Sequence, residues 1–223
     1  MEKNNHFYIR KVILYALFVA LAYVAEFIVH IKVLFLTFDI KDAVIVIASM
    51  ILGPLASVII SLVLAFIEFV TISDTGIWGL IMNFAGSAAF SFTVSFIYKF
   101  RKSFSGAILS LSSGVISATS VMLMMNMLIT PIYTGSSVSQ VVKMIPTLLL
   151  PFNFAKYMLN ASIAAFLYKP LISALRKIGF VKDGSPGMKF GLSTILTVLF
   201  SLLTAAIGLL ILILFLKADF KFF

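Results

Sequence analysis

The stretch AVIVIASMILGPLASVIISLVLAFIEFVTI, residues 43–72, holds one ionisable side chain, Glu68, in thirty positions. A membrane-spanning helix needs about 20 mostly apolar residues, and the second half, from Leu55 to Ile72, comes close to supplying them. The first half does not. Ala43 to Leu52 reaches about 15 Å, at about 1.5 Å per helical residue, before Gly53-Pro54 interrupts it. Proline lacks a backbone N–H and breaks a helix interior. The pair therefore predicts a half-length or tilted helix that kinks into a full span.

The same reading extends outward in both directions. Apolar stretches run from about Val12 to Val29, Trp78 to Tyr98, Ala107 to Ile129, Ile145 to Leu175 and Phe190 to Leu216. They are continuous, without the alternation and turn spacing of barrel strands, so the fold class is an all-α integral membrane protein. Of the 223 residues 62% are hydrophobic and 11% charged, against about 45–50% and about 25% in soluble domains. A sizeable soluble domain and most DNA-binding modules are excluded. Cysteine is absent, which removes disulfide and thiolate chemistry. His6 and His30 are too far apart for a zinc motif of the H-E-x-x-H type. No phosphate-binding G-x-x-x-x-G-K-[ST] loop occurs, and no serine elbow or paired intramembrane carboxylates point to an enzyme. No inverted repeat is visible, which argues against a self-sufficient secondary transporter.

Charge predicts the orientation. The N-terminus could be misread as a secretory signal, with Ala20-Leu21-Ala22 as its cleavage site. Its long basic region and the membrane-embedded chain downstream favour a retained helix. With that helix entering from the cytoplasm, eleven of the seventeen Lys and Arg residues fall on the inner side, including Lys99, Arg101 and Lys102. This is the positive-inside distribution. Glu26, Asp39, Asp42, Glu68 and Asp74 lie toward the other side, as does Lys41. The segment from His30 to Asp42 is expected to be an outer loop, either a plain connector or a lid.

Polar groups within apolar spans are costly and usually face protein or water. Asn153, Lys156 and Asn160 follow Pro151 at helical spacing and share one face. An amide and an ammonium there could read the carbonyls and ring nitrogens of a heterocycle; the alternative is an interhelical hydrogen bond beside a snorkelling lysine. Asn126 sits among four methionines, which suit a flat aromatic ligand or ordinary core filling. Asn83 shares a face with Gly79 and Gly86, where close helix packing is the expected role. Glu68 is expected at the headgroups, with a ligand hydroxyl or a lysine as alternative partners. Ala16 and Ala20 form a small-xxx-small pair that would let another helix approach.

With these residues in place, the chain resembles the substrate-binding S components of energy-coupling-factor (ECF) vitamin transporters, most closely the riboflavin-binding type. The resemblance is carried by Ala16-x-x-x-Ala20, by Phe38-Asp39-Ile40-Lys41-Asp42-Ala43, and by Leu52-Gly53-Pro54-Leu55-Ala56. It continues through Gly79 to Gly86, through Asn126 with Thr130-Pro131-Ile132-Tyr133, and through Pro151-Phe152-Asn153-Phe154-Ala155-Lys156. Leu167-Tyr168-Lys169-Pro170-Leu171 closes a match over about residues 8–178. It implies a six-helix membrane domain over 1–178 with an outward, loop-covered vitamin site. Asn126, Asn153 and Lys156 would contact the isoalloxazine ring, and Phe38, Asp39, Glu68 and Asn83 would complete the binding set. Ala16 and Ala20 would dock on a transmembrane T component joined to two cytoplasmic ATPases. Riboflavin would be cargo, with no cofactor and no metal.

The chain departs from that pattern in two places. Residues 179–189 read as a basic linker, and residues 190–223 as an additional C-terminal transmembrane helix and tail. Glu68 is followed by Phe69-Val70-Thr71, where family members often carry basic or amide residues. The rival readings are an S component for another vitamin and a non-transport polytopic membrane protein. Lys156 argues against a cationic vitamin such as thiamine.

Overall fold

A computed structural model describes residues 2–177 and 192–216. The basic linker expected at 179–189 lies outside the described residues. Among them the chain forms eight α-helices and one hairpin. The order is α1 (Glu2–Ile28), β1 (His30–Val33), β2 (Leu36–Asp39), α2 (Lys41–Leu52), α3 (Pro54–Thr71), α4 (Gly76–Phe100), α5 (Phe104–Thr134), α6 (Val138–Met144), α7 (Leu150–Lys177) and α8 (Leu192–Leu216). Five stretches are long and apolar enough to cross a membrane: Tyr8–Ile28, Pro54–Thr71, Gly76–Phe100, Ser105–Thr134 and Val138–Tyr168.

The twelve-residue α2 is short because it is the buried centre of the bundle. It contacts α1, α3, α4 and α7, and eight of its residues, from Lys41 to Ser49, are buried. A helix apolar all round belongs inside a bundle rather than at its lipid face. It ends at Gly53, whose φ of 100° is a conformation that essentially only glycine adopts without strain. Pro54 then opens α3 at a position where its missing N–H costs nothing. The lipid-facing sides of the outer helices carry exposed Val12, Phe66, Phe92 and Ile116, as a bilayer solvent requires.

Small residues let α4 approach α2. Ser87, Ser91 and Ser95 are all buried, and Ser91 and Ser95 satisfy their hydroxyls on carbonyls four residues back, at 2.6 and 2.7 Å. Ser49 of α2 donates to the Ser91 carbonyl at 3.2 Å. At the far end of the bundle the Tyr98 hydroxyl donates to that of Tyr168 at 3.2 Å. The additional C-terminal helix α8 packs along α7. There Gly208 lies where a Cβ would meet the Leu159 side chain at 2.8 Å, so glycine sets that approach.

Two features differ from the expected outline. The segment expected as a loop at His30–Asp42 is an antiparallel hairpin, with His30 opposite Asp39 and Val33 opposite Leu36. Its two-residue turn puts Leu34 at φ 57°, where a branched side chain is strained. The stretch expected as one helix from Ile145 to Leu175 is divided by a π-helical turn at Ile145–Leu149. Pro151 has no N–H to give to the ladder, and the preceding Leu150 N–H reaches back five residues to the Ile145 carbonyl. Such slips are often found at functional sites.

Replacing Gly53 with alanine should lower stability by about 1–3 kcal/mol through backbone strain alone, because a Cβ there meets nothing within 4 Å. Thermal unfolding in detergent measures this. An unchanged midpoint would refute the role of the glycine in ending α2.

Candidate substrate site

The spans alternate in direction, so the end of α1, the start of α2, the end of α3, the start of α4, the end of α5 and the start of α7 meet at one end of the bundle. The hairpin covers that end. Beneath it lies a cavity of about 220 Å³, opposite the basic loop Lys99–Lys102. Its walls include Trp78, Met82, Met122, Phe152 and Tyr133, and its floor is polar.

Lys41 is the centre of the floor. It is 1% exposed and its Nζ donates to Glu68 at 2.7 Å and to Glu26 at 3.3 Å, with Asp39 at 3.7 Å. Asn83 adds a hydrogen bond to the same Glu68 oxygen at 2.7 Å. Lys156, from α7, donates to Asp39 at 2.8 Å and to the Thr37 carbonyl at 3.2 Å, so α7 holds the hairpin by its second strand. These bonds use two of the three donors of the ammonium. Asp42 accepts from Ser87 of α4. At the rim, Lys32 of the hairpin pairs with Asp74 of the α3–α4 loop.

Asn160 fixes the backbone between these groups. Its Oδ1 accepts from the Ala43 N–H at 2.8 Å, and its Nδ2 donates to the Asp39 carbonyl at 2.9 Å. The first turn of a helix has N–H groups with no partner of their own, and α7 supplies one for α2. Asn160 shares a face with Asn153 and Lys156 but is fully used in this clamp.

The ionisation of the hairpin follows from these contacts. Burial opposes the charge on Asp39, but Lys156 and Lys41 outweigh it and hold the carboxyl below its ordinary value. His30 is pushed below its ordinary value of 6.5, mainly by burial. It is therefore mostly neutral near pH 7.

Of the residues expected to bind ligand, Asp39, Glu68, Asn83, Asn153 and Lys156 line this cavity. Phe38 and Asn126 do not. Phe38 is buried with Leu149 and Phe152 in a second apolar cluster. Asn126 donates to the Met122 carbonyl at 2.7 Å and accepts from Thr130 at 2.9 Å, behind a methionine that does reach the cavity. Asn153 donates to the Leu149 carbonyl at 2.8 Å. Two expected settings are corrected. Glu68 is not at the headgroups: it is 1% exposed and bound to Lys41 and Asn83. Asn83 serves that polar contact, while Gly86 makes the room, since a Cβ there would collide with Tyr157 and Met122. Ala16 and Ala20 lie on the outward, exposed face of α1.

The sequence places Lys41 and Glu26 on the outer side without marking either as a site residue. Both carried a readable signal. Glu26 is a charge inside an apolar span, and Asp39-Ile40-Lys41-Asp42 packs three charges against the start of an apolar helix.

A family model described as "ECF transporter, substrate-specific component" matches residues 10–172. A solved structure described as that of the S component of a bacterial ECF transporter aligns with a TM-score of 0.64 and 27% identity, covering 74% of this chain and 97% of that one. No curated protein matches.

Removing one partner of a buried charge network typically costs about 3–5 kcal/mol. Lys41→Met should therefore collapse stability, read as loss of a cooperative thermal transition or of monodisperse elution in detergent. A variant as stable as the parent would refute the central role of Lys41.

Proposed function

Because the chain belongs to the family of ECF transporter substrate-specific components, we propose that it captures riboflavin in the cavity beneath the hairpin and passes it inward. As a member of that family it is a multi-pass membrane protein and the substrate-binding subunit of a transporter, not an enzyme.

One observation carries the choice of ligand. The start of α7 brings Asn153 and Lys156 to a cavity walled by Trp78, Met82, Met122 and Phe152. Flat aromatic and thioether walls suit a planar ring system. An amide and an ammonium at its edge suit ring carbonyls and nitrogens. At about 220 Å³ the cavity is smaller than the roughly 300 Å³ where small-molecule sites usually begin. A flavin therefore enters with a lift of the hairpin, whose holds are the Lys156–Asp39 and Lys32–Asp74 contacts.

In this reading the hairpin end faces outside, supported by the basic residues Lys99, Arg101 and Lys102 at the other end. Delivery inward uses a transmembrane T component and two cytoplasmic ATPases, with the exposed Ala16–Ala20 face of α1 as the docking stripe. The rival reading, an S component for another vitamin, has one observation in its favour. The charge of Lys156 is answered by Asp39 at 2.8 Å, so it no longer argues against a cationic vitamin.

Titration of riboflavin with the purified chain should give saturable fluorescence quenching that thiamine and biotin do not displace. Asn153→Ala and Lys156→Ala should each weaken binding about 10-fold or more, as expected for losing a hydrogen bond to a charged or buried polar partner. Absence of quenching by a folded sample would overturn the riboflavin assignment. Normal binding by both variants would overturn the site.

A further inference from the structure

A second cavity, of about 170 Å³, lies away from the hairpin, where α5, α7 and α8 meet. Leu111 and Val115 of α5, Met158 and Ala161 of α7, and Phe200 and Thr204 of α8 wall it. The additional helix α8 thus closes one side. The Thr204 hydroxyl is already satisfied, donating to the Phe200 carbonyl at 2.8 Å and lying 2.5 Å from that of Ser162, so this wall asks for no polar ligand. An apolar cavity of about 150 Å³ stays dry and takes up hydrocarbon such as benzene. This one opens sideways, since Ser112 and Ile116 line it and are exposed on a helix long and apolar enough to cross the bilayer. Lipid meets that opening, because the bilayer core has no water to fill it. The exposed rim then runs toward one end of the bundle: Ile116, Ser112, Leu109 and Ser105 follow at helical spacing and are all exposed. From Ser112 to Ser105 is about 10 Å of helix. At that end stand Lys99, Arg101 and Lys102, all exposed. Among the described residues none of the three pairs with a carboxylate.

We propose that this groove holds one acyl chain of an anionic phospholipid, drawn from the leaflet at the Lys99–Lys102 end. In the orientation given above that is the inner leaflet. The chain lies in the gap between α5, α7 and α8, and the phosphodiester meets Lys99, Arg101 and Lys102. Hydrocarbon alone would not select among lipids, since every phospholipid carries it. The basic loop does, because basic groups at a membrane surface attract anionic headgroups. The gap itself explains why a chain is held rather than passed over. Walls facing a void lose their dispersion contacts outright, and here three helices share that loss. Where α7 and α8 touch directly they do so through Gly208 against Leu159 and through Ser162 against Thr204. The groove is the part of the junction with α5 that side chains leave unfilled, so the lipid acts as a third partner joining α8 to the bundle. The proposal is independent of which vitamin occupies the cavity beneath the hairpin.

The test uses the full chain, stripped of lipid in detergent, and two probes with the same dioleoyl chains, phosphatidylglycerol and phosphatidylcholine. Native mass spectrometry during titration reads how many of each are retained and how tightly. One phosphatidylglycerol should be held at least about 10-fold more tightly than phosphatidylcholine, because basic groups answer its charge. Lys99→Gln, Arg101→Gln and Lys102→Gln combined should remove that preference. Ser112→Trp sets a ring across the groove mouth and should weaken retention of both lipids by about 10-fold or more, in a sample whose thermal transition shows it folded. Should that variant not fold, Ile116→Trp takes its place. Retention of neither lipid by the parent, equal retention of the two, a preference that survives loss of the three charges, or normal retention by a folded groove variant would each overturn the proposal.

Discussion

One ammonium group, Lys41 Nζ, lies 2.7 Å from Glu68, 3.3 Å from Glu26 and 3.7 Å from Asp39. Those three carboxylates come from α3, α1 and the hairpin, and Lys41 itself begins α2. Four separate pieces of chain therefore meet at one charge. Taking such groups out of water costs several kcal/mol per ion, which good geometry only partly recovers. A well-packed apolar centre would stabilise the bundle at less cost. Its presence here fits a polar floor kept for a ligand, because intramembrane charges usually mark function.

The rest of the site is arranged around that floor. Lys156 pairs with Asp39, and Asn160 binds the backbone on either side of Lys41. The π-helical turn before α7 and the hairpin with its strained Leu34 turn are the two irregular elements of the described fold. The hairpin lines the cavity, and the π turn packs beside it, with Leu148 and Leu149 in the apolar cluster that holds Phe38 and Phe152. Irregular backbone within a membrane protein is tolerated where it is buried in protein or lines a polar space. The apolar remainder of the bundle, with serines between α2 and α4 and glycine between α7 and α8, is a regular frame that holds these irregular pieces still.

Much of the frame was legible in the sequence, since continuous apolar runs and Gly53-Pro54 act locally. The break at Pro151 and the hairpin were not. A π slip depends on which carbonyls the surrounding helices leave free, and a hairpin of His30, Ile31, Lys32 and Val33 has no glycine turn to announce it. The site was partly legible. Lys156 and Asn153 stood out as polar residues in an apolar span. Lys41 looked like a surface charge because its partners are distant in sequence, at positions 26 and 68. Asn126 stood out as an amide among methionines, and its bonds to the Met122 carbonyl and to Thr130 are invisible without coordinates.

The most direct test is an experimental structure of the chain with riboflavin bound. The account predicts the ring between Trp78 and the methionine wall, its polar edge at Asn153 and Lys156, and the hairpin displaced from its present position. Ligand density at a lipid-facing groove, or a flavin whose polar edge avoids α7, would contradict it.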